Sequence, residues 1–88
     1  MKMNKDFLIL LLQILEKEDM SGYKIIISLA EKPNDVCEFN AGIVYPYLHK
    51  LVQCNCLICY SQQVNGRIKK YYRITSQGRN IIRKMELL

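Results

Sequence analysis

The stretch NAGIVYPYLHKLVQC (40–54), followed at once by LICYSQQVNGRIKKYYRI (57–74), decides the fold. In the first, Asn40 is a helix cap, and advancing 100° per residue gathers Ala41, Val44, Leu48, Leu51 and Val52 on one side. The opposite side carries Gly42, Ile43, Pro46, Lys50 and Gln53, flanked by Tyr47 and His49. A helix over about 40–54 therefore has one face to pack and another to present. Pro46 has no amide to give the carbonyl four residues back, so it either stands near the helix start or bends it. Asn55 falls where the helix should stop, and asparagine tolerates the left-handed conformation common there. In the second stretch the period shortens toward a strand from Leu57 to Gln63. Asn65-Gly66 is a strong hairpin-turn signal, and Lys69 to Ile74 returns. On the returning strand Tyr72 and Ile74 share a face that packs inward, while Lys69, Tyr71 and Arg73 face outward.

Working outward, two helices precede this unit. Asp6 caps or opens the first, whose apolar residues Phe7, Ile9 to Leu12, Ile14 and Leu15 are too many for one narrow stripe, so it is buried on more than one side. Glu16 to Asp19 ends it. Ser21 is an N-cap for a second helix to about Glu31, with Ile25, Ile26 and Leu29 at core spacing, before Pro33, Asn34 and Asp35 force a loop. After the hairpin, Thr75 caps a fourth helix with Ile81, Ile82, Met85 and Leu88 spaced for burial. The expectation is a mainly helical protein with a small β-hairpin, in the order α-α-α-β-β-α. Three helices followed by a basic hairpin is a winged helix-turn-helix, in which the third helix enters the DNA major groove and the hairpin grips beside it. Eighty-eight residues suit a single domain over 1–88.

Charge separates along the chain. Residues 1–36 hold five lysines against six carboxylates, a net −1, whereas residues 37–88 hold eight Lys or Arg against two Glu, a net +6. A localised surplus is a binding surface rather than mere solubility. The longest apolar run, near Phe7 to Leu15, is far short of the roughly 20 residues of a membrane span, and Lys2 and Lys5 before it only faintly imitate a signal peptide. A cytoplasmic protein with free thiols at Cys37, Cys54, Cys56 and Cys59 is expected. With one His, no nucleophile–base pairing and no glycine-rich phosphate loop, the residues offer no catalytic machinery and ask for no cofactor.

Two motifs carry a family resemblance. Gly42-Ile43-Val44-Tyr45-Pro46-Tyr47-Leu48-His49-Lys50-Leu51 resembles the recognition-helix signature of the PadR-like transcriptional regulators, Gly-Thr-Leu-Tyr-Pro-x-Leu-His-Arg-Leu. Gly66-Arg67-Ile68-Lys69-Lys70-Tyr71-Tyr72-Arg73-Ile74-Thr75 with Gly78 is similar to that family's wing signature, Gly-Arg-x-Arg-Lys-Tyr-Tyr-x-Leu-Thr followed by Gly. Met20-Ser21-Gly22-Tyr23 resembles the opening of its second helix, although Ser21 stands where His is usual and Asn55 where Gly is. The resemblance covers roughly residues 6–80 and is to a short member, because many members continue into further helices that dimerise and can frame a ligand pocket. It implies operator binding by a homodimer, usually as a repressor. It also implies that the Tyr45 hydroxyl reaches a phosphate. An effector is left unspecified.

The residues themselves divide the work. Lys50 and Gln53 can address guanine and adenine edges. Gly42 and Ile43 open the helix toward a phosphate, and Tyr47 and His49 suit backbone or sugar contacts. Arg67, Lys69 and Lys70 neutralise phosphates from the wing, with Arg67 nearest a minor groove. Tyr23, Asn40, Tyr71 and Arg73 complete the expected interface. Taken alone, tyrosines are more often packing residues, and at least two of Tyr45, Tyr47, Tyr71 and Tyr72 should be mainly structural. Dimerisation is expected through Phe7, Leu11, Ile81, Ile82, Met85 and Leu88. Two rivals compete: a metal- or redox-sensing regulator built on Cys54, Cys56 and Cys59, and a winged-helix module that binds an acidic protein. Against the first, Cys56 and Cys59 differ by three and point to opposite faces if both lie on a strand.

Overall fold

The computed structural model describes residues 4–31 and 41–86, which run α1 (Lys5–Lys17), β1 (Met20–Ser21), α2 (Gly22–Ala30), α3 (Ala41–Gln53), β2 (Leu57–Val64), β3 (Arg67–Ile74) and α4 (Ser76–Glu86). This is a winged helix-turn-helix with one strand more than the sequence reading anticipated. Asn40, Cys37 and Leu88 lie outside the described residues.

Asn4, rather than Asp6, caps α1: its Oδ1 accepts from the amides of Asp6 at 2.9 Å and Phe7 at 3.3 Å. Asp6 instead stands in the first turn, where a carboxylate meets the positive end of the helix dipole. The helix buries Leu11, Leu12, Ile14 and Leu15 and leaves Phe7, Leu8 and Leu10 half-buried. Ser21 caps α2 as expected, its Oγ accepting from the Lys24 amide at 3.2 Å. The core then closes with Ile25 and Leu29 of α2, Val44, Leu48 and Leu51 of α3, Leu57, Tyr72 and Ile74 of the sheet, and Ile82 of α4. Each such side chain taken from water contributes about 1.5–3 kcal/mol before chain entropy is charged against it.

α3 ends on two paired backbone bonds. The Cys56 amide donates to the Leu51 carbonyl (2.9 Å) and the Asn55 amide to the Val52 carbonyl (3.0 Å), with Asn55 left-handed at φ 63. This satisfies helix-end carbonyls that would otherwise lack donors. The same turn receives α4: the Thr75 hydroxyl donates to the Asn55 carbonyl at 2.6 Å and accepts from the Gly78 amide at 3.1 Å, while the Thr75 amide donates to the Cys56 carbonyl at 3.0 Å.

The sheet order is β1-β3-β2, all antiparallel. β2 and β3 pair from Leu57↔Ile74 to Val64↔Arg67, and the connecting Asn65 and Gly66 have φ of 51 and 77. Two successive left-handed residues are what a tight hairpin turn of matching twist requires. β1 contributes two pairs, Met20↔Tyr72 and Ser21↔Tyr71. A two-residue strand has no period to read, and it exists because the α1–α2 connection passes alongside β3.

Candidate nucleic-acid interface

Alternation along the hairpin sets which residues look toward α3. Tyr72 and Ile74 are buried as expected, so Lys70 and Cys59 share their face but stand farther out, where the core ends. There the hairpin and α3 enclose a concavity of about 300 Å³ walled by His49, Val52 and Gln53 of α3 and by Cys59, Lys70 and Tyr72 of the sheet. A second concavity of about 370 Å³ adjoins it and is lined by Ser21, Gly22, Tyr23, Tyr45, Lys69, Lys70 and Tyr72. Lys70 and Tyr72 line both, so the α2 start, the exposed side of α3 and the hairpin form one continuous polar and cationic surface. Among the described residues Arg67, Lys69 and Lys70 enter no ion pair. Their charge is available to an external anion.

Most of the expected interface is exposed on or beside this surface. Tyr23 is 72% exposed; Gly42, Ile43, His49 and Gln53 are exposed on α3; and Tyr45 is half-buried at the core edge. The Tyr45 ring closes against Gly22, whose missing side chain makes room: a Cβ there would stand 2.5 Å from the Tyr45 hydroxyl. At the tip Ile68 is 77% exposed beside Arg67. Tyr72, sealed beneath the concavities, has its phenol pushed up to about 12, chiefly by burial.

Four assignments change. Tyr47, expected to flank the exposed face, is only 6% exposed; its hydroxyl accepts from the Asn4 amide at 3.1 Å and its ring meets Phe7 edge-on at 4.6 Å. It is a packing residue, because the start of α1 crosses that side of α3. Lys50 is exposed but belongs to the other border of the helix, where it lines an apolar concavity with Lys5, Leu8, Ile9, Ile81 and Met85. One residue of helix is a turn of about 100°, so Lys50 is rotated by that much from His49 and away from the wing. Arg73 faces outward as expected, yet its Nε donates to Asp19 Oδ2 at 2.9 Å. Tyr71, on the same outer face, stacks on Tyr60 with centroids 5.7 Å apart. Both are engaged within the chain.

Of the residues expected to dimerise, Leu11 and Ile82 are 0% and 1% exposed and belong to the core of one chain. Phe7, Ile81 and Met85 are half-buried. The thiols divide: exposed Cys54 and buried Cys56 both line the apolar concavity beside α1 and α4, whereas Cys59 lines the groove beside the wing. Burial pushes the Cys56 thiol up. Among the described residues no three His, Cys, Asp or Glu side chains converge as metal ligands, and no helix is long and apolar enough to cross a membrane.

What sequence reasoning missed is the cluster behind the wing. Asp19 Oδ2 accepts from the Tyr60 hydroxyl (2.7 Å) as well as from Arg73, whose guanidinium carbon lies 5.1 Å from the Tyr60 ring centroid. The hydrogen bond from Tyr60, joined by Arg73, holds the Asp19 carboxyl below its ordinary value, and the same bond raises Tyr60. These residues are 41 and 54 positions from Asp19, and no local signal links them.

The sequence model of the PadR-like family of transcriptional regulators matches residues 11–84. Among solved structures, a PadR family transcription regulator from hypervirulent Clostridium difficile R20291 is 29% identical with a TM-score of 0.78, covering 91% of this chain and 82% of that one. The protein smu.1704 from Streptococcus mutans UA159 is also 29% identical with a TM-score of 0.78, over 90% of this chain and 71% of that one. Bacillus subtilis PadR, solved in complex with operator DNA, shares the fold with a TM-score of 0.83 at 22% identity; the match covers 96% of this chain and 48% of that one. No curated protein matches the chain.

Proposed function

The chain belongs to the PadR-like family of transcriptional regulators, and on that premise we propose that it is a sequence-specific, double-stranded DNA-binding repressor without catalytic activity. In this reading it is one cytoplasmic domain that works as a homodimer. α3 enters the major groove and the β2–β3 wing lies on the adjacent backbone or minor groove. The observation that carries this is the shared wall: His49 and Gln53 of α3 and Lys70 of the wing line one concavity, so a helix able to read base edges and a cation able to neutralise phosphate meet the same duplex. Gln53 and His49 take the central reading positions. Lys50, at the border, contacts backbone.

Tyr23 and Tyr45, beside Lys69 and Lys70, position a phosphate, and Arg67 with Ile68 at the tip approaches the minor groove. The homodimer is supported by the apolar concavity between α1, α3 and α4, about 340 Å³, in which Leu8, Ile9, Ile81 and Met85 lie open. Pairing across it would set two recognition helices about one DNA turn apart. Selection of bound sequences from a random duplex pool tests the reading. Gln53→Ala should change the selected bases, whereas Lys70→Ala should weaken all sequences about equally and reduce the salt slope by about one. Indifference to DNA at low salt would favour the protein-binding module instead. A monomer mass by light scattering at micromolar concentration would contradict the dimer.

A further inference from the structure

The wing can read DNA together with α3 only if the hairpin is held at a set angle to the helices. Covalently it leaves the body at the α3–β2 turn and returns at the start of α4, both at one end. Leu57, Tyr72 and Ile74 seat its near end in the core, and its hydrogen-bonded lateral hold is β1, a ladder two residues long. Two pairs of strand are a weak clasp. Asp19, immediately before β1, lies opposite Arg73 if the register Met20↔Tyr72 is continued by one. From there its carboxylate takes both the Arg73 Nε on the central strand and the Tyr60 hydroxyl on the far strand. Arg73 rests on the Tyr60 ring, and Tyr60 stacks on its cross-strand partner Tyr71 at an interplanar angle of 18°. One side chain from the α1–α2 connection thus reaches across all three strands on the face turned away from α3.

We propose that Asp19 is a positioning residue for DNA binding: through Arg73 and Tyr60 it braces the wing against the helical body and so sets where Arg67, Lys69 and Lys70 meet the phosphates. The inference rests on the DNA-binding reading above and deepens it. Two features separate a brace from a stability element or a DNA contact. Asp19 and Arg73 are partly solvated, with side chains 29% and 58% exposed, and ion pairs of that kind add little to global stability. Asp19 is also an anion, so if it acted on DNA only through its charge, removing it would tighten binding.

The test compares Asp19→Asn with the wild-type chain on random-sequence duplex DNA, in the natural background and in one carrying Arg67→Ala, Lys69→Ala and Lys70→Ala. Bracing predicts that Asp19→Asn weakens binding about five- to tenfold in the natural background and has little effect when the wing cations are gone, because residues that do not touch are then coupled through the wing's position. Equal or tighter binding by Asp19→Asn, or the same loss in both backgrounds, overturns it. Tyr60→Phe, which removes only a hydroxyl, repeats the comparison should Asp19→Asn fail to fold. A wild-type chain that ignores DNA would sink the DNA-binding reading alone. Hydrogen exchange then decides the brace: faster exchange of the wing amides from Arg67 to Lys70 in Asp19→Asn supports it, and unchanged exchange refutes it.

Discussion

Gly78→Ala sets two opposed magnitudes against each other. Gly78 stands in the first turn of α4, and a Cβ there would lie 2.5 Å from the Cys56 carbonyl oxygen and 2.8 Å from Ile74 Cγ1. Comfortable contacts between non-bonded carbon atoms are about 3.5–4.0 Å, so the shortfall approaches an ångström. The carbonyl cannot simply retreat, because it accepts the Thr75 amide at 3.0 Å and that bond anchors the same helix start. Overpacking of this kind costs about 1–3 kcal/mol, while alanine in place of glycine gains a helix up to about 1 kcal/mol. The clash should win, with a net loss of about 1–2 kcal/mol. For a domain of this size that lowers Tm by roughly 5–15 °C. The assay is urea unfolding followed by circular dichroism, read as a lower midpoint at unchanged slope. Asn80→Ala, at an exposed position of the same helix, serves as the control and should hold or raise the midpoint. A Gly78→Ala chain as stable as wild type would show that α4 does not approach the α3–β2 turn this closely.

Two further outcomes test the interface more directly. Gly22→Ala meets the Tyr45 ring rather than backbone, so the ring should swing aside at a stability loss of about 1 kcal/mol; duplex affinity should fall more than stability does, measured by fluorescence anisotropy, and unchanged affinity would remove Tyr45 from the interface. In an alkaline titration followed by tyrosinate absorbance, one late step near pH 12 should belong to Tyr72 and vanish in Tyr72→Phe. Because the folded value lies above the unfolded value of about 10, the stability Tyr72 contributes is whole below that pH and is lost as pH rises toward 12. Titration of every tyrosine together near pH 10 would contradict its burial.

The elements were legible wherever a local rule governs them. The packing of Val44, Leu48 and Leu51 from one side of α3, the Ser21 and Thr75 caps, the left-handed Asn55 and the Asn65-Gly66 turn each depend on residues within a few turns or one hairpin and appear in the structure, whereas Ala41, placed by the same spacing on that side, is exposed at the helix start. Asp6 opens α1 from its first turn rather than capping it, because Asn4 two residues earlier accepts from the amides of Asp6 and Phe7.

Everything decided by the meeting of distant segments had to wait for the tertiary structure. Periodicity left Tyr47 on the border of the α3 stripe, and only the crossing of α1, with Phe7 and the Asn4 amide, turned it into the core. The same crossing put Lys50 beside α1 and α4 and left His49 and Gln53 to face the wing. β1 and the Asp19 cluster are non-local throughout, joining one connection to strand residues 41 to 54 positions away. Composition and spacing along the chain were enough for a helix with two faces and a basic hairpin after it. Which cations stay open to an anion and which are tied down depends on what packs behind them, and a linear pattern holds no such distances.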